Sequence, residues 1–169
     1  MHKILCLLAT KKGLEVLSST IRVGKSDILG CVMTFTEKIS KDYESEIKRE
    51  CIKRTVPHVK YTHCEGSELI ESTIDKYKIT AIIAIGWRFL LPLSLNDRLT
   101  IPIIVFHDSL LPKYRGFSPT PTAMICGEKT VGVTALYASE GTDEGEIIWQ
   151  KEVPIAEDDY IQRFRQYGK

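Results

Sequence analysis

The run Thr80-Ala81-Ile82-Ile83-Ala84-Ile85 is the feature that most restricts the fold of this chain. It falls far short of the roughly 20 apolar residues a membrane helix needs. Rich in β-branched residues and almost without polar groups, it reads as a strand buried on both faces. Such a strand needs cover on both sides, as in the centre of a parallel sheet lying between helices.

The rest of the chain fits that requirement, because short apolar runs alternate with stretches of helical period. Strands are predicted at 4–9, 28–35, 59–62, 80–85, 101–107, 131–137 and 146–153. Behind a turn at 10–13, Leu14, Leu17 and Ile21 repeat at helical spacing. A helix is predicted over 42–55 with Tyr43, Ile47 and Cys51 on one stripe, and Pro57 ends it. Another spans 65–78 with Ile70, Thr73, Ile74 and Tyr77 on its apolar face and Ser67 as its cap. A short helix is expected near Pro92 and another over 119–127. A last one opens at Asp158-Asp159, with Ile161 and Phe164 as its buried face.

Composition narrows the function classes. At 169 residues the chain suits one domain, and 43% hydrophobic with 27% charged residues is the mix of a globular protein rather than a disordered or membrane-spanning one. A net charge of +1 argues against a protein whose main work is wrapping nucleic acid. The start, Met1-His2-Lys3 and an apolar run to Ala9, is short for a signal peptide and lacks a cleavage site, so it reads as a first strand. Five widely spaced cysteines (Cys6, Cys31, Cys51, Cys64, Cys126) without a C-x-x-C indicate neither a disulfide framework nor a zinc knuckle. A reducing, cytoplasmic setting is the expectation. His58, His63 and Cys64 lack a fourth ligand at suitable spacing, so no metal is expected there.

In open α/β sheets ligands bind beyond the carboxyl ends of the strands, here segments 10–13, 86–92, 107–116 and 139–145. The first offers Lys11, Lys12 and Gly13 but neither the dinucleotide-binding nor the phosphate-loop glycine pattern. The third begins with His107, at the end of a buried strand and the start of a proline-rich loop, a setting that suits a general acid or base. The fourth is an acidic turn, Glu140-Gly141-Thr142-Asp143-Glu144-Gly145-Glu146.

Taken together these strings are more specific. His107-x-Ser-Leu-Leu-Pro-Lys-Tyr-Arg-Gly, then Gly127-Glu128, Gly132-Val133-Thr134 and Glu140-Gly-x-Asp143-x-Gly-x-Ile147, in this order, resemble the folate-dependent formyltransferase family. That family includes glycinamide ribonucleotide, methionyl-tRNA and nucleotide-sugar N-formyltransferases. The resemblance implies a Rossmann-like α/β fold, a mostly parallel twisted sheet flanked by helices. Residues 1–169 are expected to form a single catalytic domain lacking a C-terminal extension. It also implies transfer of a formyl group from 10-formyltetrahydrofolate, as co-substrate, to a primary amine. His107 and Asp143 match the catalytic pair. Gly86, Trp87, Arg88, Phe89, Leu90 and Leu91 fall where family members place a folate-binding loop, with Glu140 and Gly141 as further donor contacts. Asp108, Ser109, Lys113 and Arg115 are the substrate-side candidates.

The chain departs from the pattern at Val105, where the family carries a catalytic Asn two residues before the His, and at Asp108, where a Pro is usual. On a strand 105 and 107 share a face, so Val105 stands where an amide donor is expected. Loss of one oxyanion donor typically costs about 10²–10³ in rate. A short loop and a net charge near zero favour a nucleotide-linked amino sugar as acceptor. The alternatives are a methionyl-tRNA formyltransferase-like enzyme, with initiator tRNA as partner, and a catalytically impaired folate- or nucleotide-binding module. No membrane partner is expected, and a homodimer is compatible with the sequence.

Overall fold

The computed structural model describes residues 2–39 and 41–155. Its strands are β1 (Ile4–Leu8), β2 (Leu29–Thr34), β3 (His58–Lys60), β4 (Ala81–Ile85), β5 (Ile104–His107), β6 (Thr130–Tyr137) and β7 (Ile147–Pro154). Between them lie α1 (Thr10–Arg22), α2 (Glu44–Lys53), α3 (Gly66–Tyr77) and α4 (Pro119–Ile125). The strands form a seven-stranded sheet in the order β3-β2-β1-β4-β5-β6-β7. β1 runs parallel to β2 and β4, β2 runs parallel to β3, and β6 and β7 are antiparallel. This is the mostly parallel α/β sheet that the alternation predicts. The chain divides into two compact units, Met1–Ile104 and Val105–Lys169.

In the first unit β4 is buried at four of its five positions, as its unbroken apolar run requires. Its Ile82 is fully buried, as are Leu5 and Leu7 on β1 and Val32 and Met33 on β2. Each aliphatic side chain so placed contributes about 1.5–3 kcal/mol of transfer free energy. The helices present the expected stripes, with Ile47 and Cys51 buried on α2 and Ile70, Thr73 and Ile74 on α3.

Four local expectations change. The turn predicted at 10–13 is instead the first turn of α1, closed by the Gly13 amide donating to the Ala9 carbonyl at 3.1 Å. Ser67 does not cap α3. The chain is already helical at Gly66, because the amides of Glu65 and Gly66 both turn back to the Thr62 carbonyl. The strand expected over 101–107 begins only at Ile104. Before it the amides of Thr100 and Ile101 go to the Thr80 carbonyl, Pro102 has none to give, and that of Ile103 goes to the Asn96 side chain. The short helix near Pro92 is a 3₁₀ turn over Leu93–Arg98.

In the second unit the β6–β7 hairpin pairs Thr130 with Pro154 through to Leu136 with Ile147. A Cβ on Gly132 would collide with the Leu110 side chain and the Lys151 carbonyl, so only glycine lets the loop after β5 lie against β6. β7 is exposed along its whole length. The helix predicted from Asp158 lies outside the described residues.

Candidate active site

The second unit gathers His107, Asp143 and the loop between β5 and α4. His107 is the last residue of β5 and is 9% exposed. Its Nδ1 lies 3.2 Å from Asp143 Oδ2, and its Nε2 lies 2.9 Å from the Tyr114 carbonyl oxygen. A carbonyl and a carboxylate only accept, so a ring carrying both protons satisfies both contacts and a neutral ring satisfies one. Asp143 Oδ2 also accepts the Gly116 amide at 2.8 Å, which fixes the carboxylate against the loop. The loop reaches these positions through left-handed backbone at Tyr114 (φ 58°) and Gly116 (φ 83°), and Asp143 itself has φ 54°.

Thr134, fully buried on β6, holds the start of this loop. Its hydroxyl donates to the Ser109 carbonyl and accepts from the Leu111 amide and from Gln150 Nε2; Gln150 also donates to the Leu111 carbonyl. A buried hydroxyl with one donated and two accepted bonds has its hydrogen-bonding capacity filled. The Leu111–Pro112 peptide bond in this loop is cis.

The substrate-side candidates fall into two groups. Ser109 is buried and its hydroxyl donates to the Lys113 carbonyl at 2.7 Å. The carbonyl of Asp108 accepts the Thr120 hydroxyl. The two cations are each paired within the unit: Lys113 Nζ with Glu128 at 3.1 Å and Arg115 Nη1 with Glu144 at 3.2 Å. Tyr114 donates its hydroxyl to the same Glu128 oxygen, and that bond pushes the phenol up to about 12 and helps Lys113 hold Glu128 below the usual carboxylate range. Gly141, in the β6–β7 turn, accepts the Ser139 hydroxyl with its carbonyl, and Glu140 lies in the same exposed turn.

The predicted donor loop, 86–91, belongs to the first unit. Gly86 has φ +66°, and a Cβ there would meet the Ala9 carbonyl oxygen at 3.0 Å, so glycine lets the chain leave β4 close to the end of β1. Trp87 and Phe89 both pack against Phe35 and Tyr61, with ring centroids 4.9–5.2 Å apart. Arg88 instead meets Glu37, while Leu90 is 92% exposed. His63 stacks on Phe89, and His58 Nε2 lies 2.8 Å from the Thr34 hydroxyl. Among the described residues no group of three or more His, Cys, Asp or Glu is placed to hold a metal ion.

Sequence reasoning missed the Tyr114 carbonyl, the Gly116 amide, Thr134 and Glu37. The first two are main-chain groups whose direction depends on positive φ. Thr134 lay within the quoted Gly132-Val133-Thr134 string, and its place on the inward face of a strand was the available signal.

An open α/β sheet with a buried His–Asp pair at the carboxyl end of a strand places titratable groups where proteins of this architecture bind ligands. Comparison with known proteins is more specific. The formyl transferase family matches residues 3–168. A methionyl-tRNA formyltransferase of Lysinibacillus sphaericus is 35% identical over 117 residues, covering 69% of this chain and 37% of that protein. Another from Pediococcus pentosaceus is 29% identical over 153 residues, covering 86% of this chain and 46% of its own length. The crystal structure of a phosphoribosylglycinamide formyltransferase from Bacillus halodurans superposes with a TM-score of 0.77 over 96% of this chain and 85% of that one, at 20% identity. The chain belongs to the formyl transferase family. It spans between a third and a half of the length of these two methionyl-tRNA formyltransferases.

Proposed function

We propose that this chain carries the chemistry of a folate-dependent N-formyltransferase, moving the formyl group of 10-formyltetrahydrofolate to a primary amine. The observation that carries the reading is His107, held between Asp143 Oδ2 and the Tyr114 carbonyl at a strand end in a chain of this family. In the reaction the amine nitrogen bonds to the formyl carbon, negative charge develops on the formyl oxygen, the bond to the folate N10 breaks, and a proton passes from the amine to N10. His107 serves the oxyanion and the proton. Asp143, fixed by the Gly116 amide, orients the ring and offsets charge on it. The Tyr114 carbonyl must release Nε2 for that nitrogen to meet substrate. With Val105 in place of an amide, His107 carries the oxyanion role without a side-chain partner on its own strand face.

Residues 86–91 are assigned to the donor, with Leu90 and the main chain offering the open contacts and Glu140 and Gly141 as further candidates. For the acceptor, one observation favours the methionyl-tRNA alternative over the amino sugar: similar sequences, those of Lysinibacillus sphaericus and Pediococcus pentosaceus among them, are methionyl-tRNA formyltransferases. Cytoplasmic residence is part of the same proposal.

The test offers 10-formyltetrahydrofolate with methionyl initiator tRNA, with nucleotide-linked 3- and 4-amino sugars, and with no acceptor. Acceptor-dependent loss of the donor with the aminoacyl-tRNA is the expected result. Loss with the sugars alone would restore the amino-sugar reading. Donor binding without loss in any arm would leave a binding module and overturn the enzyme reading.

A further inference from the structure

The segment assigned to the donor is braced by one buried carboxylate to which neither the motifs nor the comparisons give a role. Glu37 follows β2, and its side chain is 2% exposed. One oxygen accepts the Ile39 amide at 2.7 Å, which fixes the carboxylate to its own loop. The other accepts Arg88 Nε at 2.6 Å, and the Arg88 side chain is 24% exposed. Arg88 sits between Trp87 and Phe89, whose rings pack on Phe35 and Tyr61. Three consecutive side chains of the loop are therefore tied down, two by ring packing and one by a charge-assisted hydrogen bond.

We infer that Glu37 is a positioning residue for the 86–91 loop, acting through Arg88, and that Arg88 is a strut of that loop. The inference rests on the assignment of this loop to the formyl donor. Separating a carboxylate buried to this degree from a paired guanidinium is costly, so the pair favours one loop conformation. A ligand that meets the main chain of 86–91 and Leu90 then finds those groups already placed, and its binding does not include the cost of ordering them.

The test uses the full chain with Glu37→Gln, Arg88→Met, Arg88→Lys and the Glu37→Gln/Arg88→Met double variant, with melting temperature as the check on folding. Two readouts are taken: hydrogen exchange of the amides of 86–91, and KM and kcat for 10-formyltetrahydrofolate. Each neutralising variant is expected to speed exchange in 86–91. Each should also raise KM for the donor by about tenfold while kcat changes less than about twofold. Arg88→Lys should recover part of the loss, and the double variant should be no worse than either single one. Unchanged exchange in 86–91 in a folded Glu37→Gln or Arg88→Met protein overturns the inference, and so does unchanged KM when the wild type turns over donor. If the wild type neither binds nor consumes the donor, the functional reading fails, and the exchange data still decide whether Glu37 positions the loop. Should Glu37→Gln not fold, Arg88→Met at the more exposed partner gives the same readings.

Discussion

At the scale of single residues, His107 is defined by its acceptors. Asp143 holds one ring nitrogen and the Tyr114 carbonyl the other, so both edges of the ring are fixed. His107→Asn should lower the rate of formyl transfer by about 10²–10⁴, the span of a lost general acid or base, with donor affinity nearly unchanged. Steady-state kinetics separate the two. Under the proposal, in which His107 already serves the oxyanion, Val105→Asn should change the rate by less than about tenfold, or 1.4 kcal/mol of barrier. A larger gain would mark the wild-type site as decayed. The strand-end His107 and the acidic turn of Asp143 stood out in the sequence, but their pairing was only what the family resemblance implied; the structure brings the two side chains within 3.2 Å. The Tyr114 carbonyl was not legible. It is set by backbone at φ 58° in a tyrosine, a conformation that no side-chain pattern encodes.

Among the elements, the β6–β7 hairpin supports the loop after β5 through Thr134 and Gln150. Thr134→Val keeps the shape but leaves the Leu111 amide and the Ser109 carbonyl each short of a partner, while Gln150 keeps its bond to the Leu111 carbonyl. The expected loss is about 1–3 kcal/mol per buried group left unsatisfied, read by urea denaturation. In the first unit His58 joins β3 to β2 through Thr34. Burial pushes its imidazole below the ordinary value of 6.5, against the opposing pull of Glu44. A depressed folded value means the unfolded chain binds the proton more readily. The contribution of His58 is therefore full above 6.5 and declines as pH falls through that value toward the folded one. His58→Gln should flatten the fall in stability between neutral and mildly acidic pH. Strand positions followed from apolar runs because burial on both faces leaves little other choice. The edges did not, since whether Ile101 or Ile104 opens β5 depends on where the Thr80 carbonyl and Asn96 send their hydrogen bonds.

Across the whole molecule, cysteine chemistry reports the fold without reference to activity. All five thiols are free, with Cys64 and Cys126 exposed and Cys6, Cys31 and Cys51 buried. Burial pushes each of those three thiols up to about 12. A thiol reagent at neutral pH should therefore label two cysteines in the native chain and all five in denaturant. A third fast-reacting thiol would contradict the packing of β1, β2 and α2.

The central claim, that this chain transfers a formyl group through His107, is tested most directly by donor consumption. Wild type and His107→Asn are each given 10-formyltetrahydrofolate with methionyl initiator tRNA, with nucleotide-linked 3- and 4-amino sugars and with no acceptor, after calorimetry has shown that both bind a folate analogue. The account predicts acceptor-dependent release of tetrahydrofolate by the wild type and at least about a hundredfold slower release by the variant at equal folate affinity. Equal rates in the two proteins, or binding with no acceptor-dependent release from the wild type, would contradict it.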